Sequence, residues 1–393
     1  MKVFFVCEGL TLDSARAQPW RHVVEVAKRL QKSGNEVQII SDGKHALQND
    51  EDIAGLHIRR VGRSHFFLDT HEITRTVDEE HAEVTNWHGS DTWSSFYLSR
   101  LNNISSATVW TLHSGPLSMR DLRGLELREK LQLFKYWNNV SSSVFPRCLI
   151  RKWVRASKVR RVITLSERLA LYLEEIGIHA EVETIRSGVD TQRFRPLNSE
   201  DARAKLGLSK EDLIILYYGP LSTFRGVDTL TMAMPEIKRK VPSAKLLLLG
   251  REKDAKAERR LTFDSFSELR VGIFDEDTLI QYLASADLVV LPFKFWPQVE
   301  CPLTILESMA MGKPVVSTCT GAIPEIITSG QDGMLVPSGN PNILAEKIIE
   351  LLEDEETRKR IGLNAREHVE RYYDWNRIVA QTLDVFVNAL ESG

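Results

Sequence analysis

Between Ala286 and Ile326 the chain runs through an apolar strand, a loop and a helix with both ends marked. Few folds accommodate that order. Leu288–Leu291 is an unbroken apolar run that stops at Pro292, the pattern of a strand buried on both faces of a parallel sheet. After a loop, Pro302 is expected at the first helical position, where its missing N–H costs nothing. Gly312 ends the helix and Pro314 prevents its continuation. The amides of Leu303 and Thr304 then lie at a helix N-terminus beyond the carboxyl end of a strand, where open α/β sheets bind phosphate. Glu307 is the odd residue, because Leu303, Ile305, Leu306 and Ala310 around it are apolar. A carboxylate buried there needs a partner, and a ribose diol is one. The residues alone leave a second reading open, in which Glu307 stands on the solvated stripe of an ordinary helix.

The same alternation of strand and helix fills the rest of the chain. Val3–Cys7 reads as a buried strand, Trp20–Ser33 as a helix ended by Gly34-Asn35, and Glu36–Ile40 as the next strand, the start of a doubly wound sheet. Further strands are expected at Leu56–Val61, Glu83–Trp87, Ala107–Leu112, Arg161–Leu165 and Val182–Ile185. A second α/β run begins at Leu213–Tyr218 and continues through Ala244–Leu249, with amphipathic helices at Ala345–Leu352, Glu355–Glu370 and Tyr373–Leu390. At 393 residues the chain exceeds what one core usually supports, so two domains are expected, with the boundary near Phe194–Pro196. The division is 1–196, 197–370 and a final segment, 371–393.

A net charge of −3 with a pI near 6.4 gives no reason to expect nucleic acid as the partner. Cys7, Cys148, Cys301 and Cys319 are too widely spaced for a zinc site or disulfide framework, and each reads as a small buried apolar residue. No apolar run approaches the roughly 18–20 residues of a spanning helix, and the N-terminal run is too short for a signal peptide, so a cytoplasmic protein is expected.

Several strand ends carry chemistry. His88-Gly89 and His113-Ser114-Gly115 follow two strands, where imidazole can hold a sugar hydroxyl or move a proton; ordinary loop histidines are the alternative. Gly219 and Gly226 allow close approach of a ligand to backbone, and Arg225 between them offers a planar fork for phosphate. Gly250-Arg251 is another strand end with a glycine. Asp275-Glu-Asp277 has the look of a metal-binding pair but fits an acidic helix start better, so no metal site is expected. Residues 147–161 hold seven cations and no acid, interleaved with apolar residues. They form either a basic face for anionic lipid at the inner side of a membrane or a solvated helix face.

Taken in order, these segments resemble the glycosyltransferases of family four, over nearly the whole chain. The resemblance rests on the strand ending at His113, Val162-Ile-Thr-Leu-Ser166-Glu167, Ile185-Arg-Ser-Gly188-Val-Asp190 through Pro196, Tyr218-Gly219 with Arg225-Gly226-Val-Asp228, Leu248-Leu-Gly250, Ala286-Asp287, the opening stretch and Gly321–Glu325. It implies a GT-B fold, two Rossmann-like α/β domains with parallel sheets facing a central cleft, and a final helix, 371–393, that packs back on the N-terminal domain. It also implies transfer of a sugar, with retention and without metal, from a nucleoside-diphosphate sugar (UDP favoured over GDP) to a hydroxyl of a glycan, glycolipid or lipid-linked acceptor. No cofactor beyond the donor is implied. Carried onto this sequence, Glu307 holds the ribose and Arg225 the diphosphate, helped by Gly219, Arg251, Pro302 and the Leu303 and Thr304 amides. Gly250 and Ile273 lie near the base. His113 holds the transferred sugar, and Glu300 is the catalytic-side glutamate.

Two positions depart from the family pattern. Its paired glutamates stand eight apart, but eight before Glu307 is Val299, and Glu300 comes one position late. The arginine that follows the first glycine of the phosphate loop is Pro220 here, so one of the two phosphate cations is missing or is supplied elsewhere, with Arg251 as a candidate. The N-terminal paired-glycine loop of the family is not evident in Glu8–Pro19. A sugar-nucleotide epimerase or hydrolase of the same fold, or a catalytically silent nucleotide-binding partner protein, are the alternatives these departures keep open.

Overall fold

A computed structural model describes residues 1–42, 50–64, 67–101, 103–116, 145–178, 180–250, 267–272, 274–295 and 300–392. The chain forms two compact units, Met1–Ser187 with Pro297–Cys301 and Trp375–Gly393, and Gly188–Trp296 with Pro302–Asp374. The division thus falls ahead of Pro196, where the sequence put it, and the final segment begins at Trp375. Hydrogen bonds explain the shift. Val189 N donates to Tyr373 O at 2.8 Å, and Arg366 donates to the carbonyls of Thr191 and Phe194 at 2.9 and 2.6 Å, so residues 188–196 are bound into the second unit.

Among the described residues of the first unit, the strands are β1 (Lys2–Cys7), β2 (Glu36–Ser41), β3 (Glu51–Ile53), β4 (Leu56–Arg60), β5 (Arg63–Ser64), β6 (Phe67–Leu68), β7 (Val84–Ser90), β8 (Ala107–Ser114), β9 (Val159–Thr164) and β10 (Glu181–Thr184). Eight of them form one sheet in the order β10-β9-β8-β7-β1-β2-β4-β3, parallel except for β3 against β4. Its helices are α1 (Trp20–Lys32), α2 (Thr70–Glu79), α3 (Asp91–Leu98), α4 (Arg147–Ala156), α5 (Glu167–Glu175) and a C-terminal helix, Trp375–Glu391. The period of two along β1 sorts its side chains between two cores. Val3, Phe5 and Cys7 pack with α1 and the C-terminal helix, while Phe4 and Val6 pack with α2 to α5.

The second unit holds β11 (Leu213–Tyr218), β12 (Ala244–Gly250), β13 (Ser267–Val271), β14 (Leu288–Leu291), β15 (Val315–Thr318) and β16 (Met334–Val336), with α6 (Ser199–Leu206), α7 (Val227–Lys240), α8 (Glu276–Ser285), α9 (Leu303–Ala310), α10 (Pro341–Glu353) and α11 (Glu355–Tyr372). The sheet order is β13-β12-β11-β14-β15-β16, all parallel. In both sheets the order reverses beside the first strand, between β1 and β7 and between β11 and β14, where open α/β sheets leave a crevice at the carboxyl ends.

Two expectations change, and the acidic helix start at Asp275 holds. The basic segment is split: α4 stops at Ala156, and β9 begins at Val159, two residues ahead of the strand expected from Arg161, so that Arg160 donates to Ala389 O at 2.8 Å and Arg161 pairs with Glu181. Arg151, Lys152, Arg155 and Lys158 remain exposed. Cys7 and Cys301 are buried, but Cys148 and Cys319 are exposed. Asp275 caps α8, accepting from Thr278 N at 2.7 Å, so the acidic triplet is a helix start. Among the described residues no helix is long and apolar enough to cross a membrane.

Candidate active site

The reversal point of the second sheet is lined by two interlocked loops. After β11, Gly219 has φ +125° and Gly226 φ +71°, conformations that side chains rarely adopt. Arg225 Nη1 would lie 3.6 Å from a Cβ at Gly219, so the guanidinium covers that glycine. Its Cζ also stands 4.9 Å from the centre of the Phe293 ring, on the loop after β14. A Cβ at Gly226 would meet Pro292 O at 1.8 Å, and the amides of Lys294 and Phe295 both donate to Phe224 O, at 2.9 and 3.1 Å. Lys294, which the sequence reading passed over, is a second cation here, its Nζ 2.6 Å from Asp228 Oδ2. Nothing in its sequence neighbourhood, Phe293 and Phe295, marks it. Gly250 closes the loop from β12: a Cβ there would meet Leu221 at 2.7 Å, and Gly219 N donates to Leu249 O at 3.0 Å. Arg251 and Ile273 lie outside the described residues.

Helix α9 follows β14. Pro302 is its N-cap, with φ −65° and ψ 115°, one position earlier than expected, and among the described residues no side chain caps the helix. Its first amides, those of Leu303 and Thr304, are donors that a helix cannot satisfy internally. Among the described residues, the buried Thr304 Oγ1 also lacks a hydrogen-bond partner. The helix ends where the sequence says: Gly312 has φ +68°, and its amide donates to Met309 O at 2.9 Å. Glu307 is 4% exposed, which removes the solvated-stripe reading. Tyr218, the last residue of β11, reaches it, with the phenol oxygen 3.1 Å from Glu307 Oε2.

The first unit brings three histidines together. His88 and His113 lie inside β7 and β8 rather than after them, and both are buried. His88 Nδ1 and His113 Nε2 are 2.7 Å apart, one donating to the other. His22, from α1, stands with its ring centre 5.4 Å from that of His113 and shares a 3.0 Å hydrogen bond between Nδ1 and Ser187 Oγ, to which Gln18 Nε2 donates at 2.9 Å. Burial holds His22 down to about 4. Burial first, then neighbouring histidines, holds His88 and His113 well below the usual range. The cluster is therefore neutral near pH 7, suited to sharing hydrogen bonds with hydroxyls rather than to binding anions. His113 Nδ1 and His88 Nε2 are buried without a partner among the described residues. His22 was missed because it sits in a helical run beside Val23 and Val24, where period alone does not mark it.

Glu300 belongs to the first unit. It is 5% exposed, and Arg168 grips it with Nε at 3.0 Å from Oε2 and Nη2 on Oε1, while Ser166 Oγ donates to Oε2 at 3.1 Å. That fork is the bidentate geometry arginine favours. The loop after β1 is equally tied. Gly9 N donates to Asp42 Oδ1 at 2.6 Å, Trp20 Nε1 to Glu8 O at 2.8 Å, and the Tyr97 hydroxyl to Glu8 Oε1 at 3.1 Å. Arg63 pairs with Asp42 at 2.6 Å. Among the described residues, no group of three or more His, Cys, Asp or Glu could hold a metal ion.

Comparison with known proteins agrees with this architecture. Residues 20–193 match the family described as Glycosyltransferase Family 4, and residues 198–368 match Glycosyl transferases group 1. A GDP-mannose-dependent monoacylated alpha-(1-6)-phosphatidylinositol monomannoside mannosyltransferase of Corynebacterium glutamicum is 32% identical over 215 residues, 53% of this chain and 56% of that protein. The chain thus spans little more than half of that relative. An uncharacterized glycosyltransferase of Methanocaldococcus jannaschii is 26% identical over 396 residues, 94% of each. Among solved structures, a sucrose-phosphate synthase from Thermosynechococcus elongatus superimposes with a TM-score of 0.79 at 19% identity, covering both chains fully. Anabaena HepE in complex with UDP gives 0.75 at 17%, over 99% of this chain and 100% of that one. The chain belongs to the glycosyltransferases of family four and has their GT-B fold.

Proposed function

We propose that this chain is a retaining glycosyltransferase that moves a sugar from a nucleoside-diphosphate sugar to a hydroxyl of a glycan, glycolipid or lipid-linked acceptor, without a metal. One observation carries the proposal. A positive-φ glycine loop under Arg225 and an uncapped helix N-terminus share the reversal point of the second sheet, and a buried Glu307 follows on that helix. The first two suit a diphosphate, the third a ribose diol.

Departure of the nucleoside diphosphate builds negative charge, which Arg225, the Leu303 and Thr304 amides and Lys294 stabilise. Lys294 takes the place of the arginine missing at Pro220. The neutral His113 shares hydrogen bonds with the transferred sugar. Glu300 accepts a sugar hydroxyl while Arg168 keeps it fixed; a carboxylate has lone pairs for both. The acceptor hydroxyl attacks on the face the diphosphate leaves, and the phosphate takes the proton. The acceptor faces the loop Glu8–Pro19 of the first unit, and the exposed cations of α4 meet anionic lipid. The family resemblance favours UDP, while the Corynebacterium relative is named for GDP-mannose, so both bases belong in the test.

Incubation with a panel of UDP and GDP sugars should give slow donor hydrolysis, and faster transfer with acceptor. Epimer formation would support the epimerase reading instead, and tight binding without turnover the silent one. Glu300→Ala that leaves turnover and donor affinity intact, while Glu307→Ala does not, would remove Glu300 from the chemistry. Indifference of the protein to anionic vesicles at low salt would remove the lipid contact.

A further inference from the structure

Tyr218 is buried at the carboxyl end of β11, 5% exposed. Its hydroxyl faces three polar atoms of α9: Thr304 O at 2.6 Å, Glu307 Oε2 at 3.1 Å and Ser308 Oγ at 3.4 Å. A phenol carries one proton, so it cannot donate fully to both the carbonyl and the carboxylate. The Thr304 carbonyl already accepts from Ser308 Oγ at 2.7 Å. A bond to an ionised carboxylate is also the stronger of the two choices. The proton therefore has a reason to turn to Glu307.

A glutamate has three side-chain torsions, and holding them before a ligand arrives lowers the ordering cost of binding. We infer that Tyr218 is a positioning residue that aims the Glu307 carboxylate at the ribose diol of the donor nucleotide. Tyr218 acts in this way only if a nucleotide ribose lies on Glu307, as proposed above. The alternative is a strut, in which Tyr218 merely ties the end of β11 to α9. The two differ in one respect: a strut serves every ligand of the site alike, whereas a positioned carboxylate serves only ligands that carry the diol.

The test is calorimetric titration of wild type and Tyr218→Phe with UDP and GDP and with their 2′,3′-dideoxy forms. For whichever base binds wild type more tightly, Tyr218→Phe should raise Kd for the ribonucleotide about tenfold and for the dideoxy form less than about twofold. In a Glu307→Gln background the same change should cost less than about twofold. Ser308→Ala supplies a second reading should Tyr218→Phe not fold. It leaves the Thr304 carbonyl freer to draw the phenol from Glu307, so the preference for ribose over dideoxyribose should shrink about threefold. Equal weakening of both ligands, or no weakening of either, overturns the positioning role and leaves the donor reading in place. If wild type binds neither diphosphate, the donor reading falls and takes the inference with it.

Discussion

At the scale of single residues, the three histidines make the sharpest forecast. His22 is held at about 4 by burial, against an ordinary value of 6.5, and His88 and His113 are depressed in the same direction. The unfolded chain therefore binds protons between pH 6.5 and 4 that the folded chain refuses. More protons on the unfolded state means that unfolding free energy rises with pH, so stability is full above about 6.5 and falls on acidification. His22 alone should account for about 2 kcal/mol between pH 7 and pH 5, with the other two adding in the same sense. Urea unfolding at the two pH values measures this, and His22→Gln should lose visibly less; a flat profile would mean the cluster is not buried neutral. Only part of this is legible in the sequence. His113 was found because it ends an apolar run, but His22 is hidden among valines, and Tyr218 reads as one more strand aromatic. Only the parallel register that sets β11 beside β14 brings its hydroxyl to Glu307.

At the scale of elements, the order of strands and helices was legible because apolar runs of four to six residues, such as Leu288–Leu291 and Leu213–Tyr218, alternate with helical period. Ends were less so. Cations concealed that β9 begins at Val159 rather than Arg161, and hydrogen-bonded partners carried β7 and β8 past their apolar cores to Ser90 and Ser114. The glycine loop was found by composition, but not what sits against it. Gly226 and Gly207 have nearly equal φ, +71° and +69°, yet a Cβ at Gly226 meets Pro292 O at 1.8 Å, and one at Gly207 meets nothing within 4 Å. Backbone strain alone costs an alanine about 1 kcal/mol. Gly207→Ala should therefore cost about that much. Gly226→Ala must also push the loop carrying Phe293 and Lys294 away from Phe224, and should cost at least about 3 kcal/mol together with nucleoside-diphosphate binding. Thermal denaturation with and without UDP or GDP separates the two; equal losses would show that the loops are not interlocked.

At the scale of the whole molecule, the sequence indicates two α/β halves and, through the family resemblance, a last helix that returns to the first, but not where the boundary between the halves falls. The boundary near Pro196 looked natural because Leu213 starts a new apolar run. What binds 188–196 into the second unit is a set of contacts to Arg366 and Tyr373, more than 170 residues away, which no local pattern reveals. The last helix makes the complementary crossing. Trp375, Ile378, Val379, Val385, Phe386 and Ala389 are all buried in the core that holds Val3 and Phe5 of β1. Phe386 lies 6.2 Å from Phe5 between ring centres, and Trp375 lies 5.6 Å from His22. Each large side chain there contributes about 1.5–3 kcal/mol by burial, so the helix as a whole supplies an amount comparable to the total stability of an ordinary domain. Trp375→Ala or Phe386→Ala should cost about 3–5 kcal/mol. Because both side chains belong to the first unit's core, hydrogen exchange should accelerate in β1, β7 and β8, while β11, β12 and β14 keep their protection. Uniform acceleration across both sheets would show instead that the two units unfold as one.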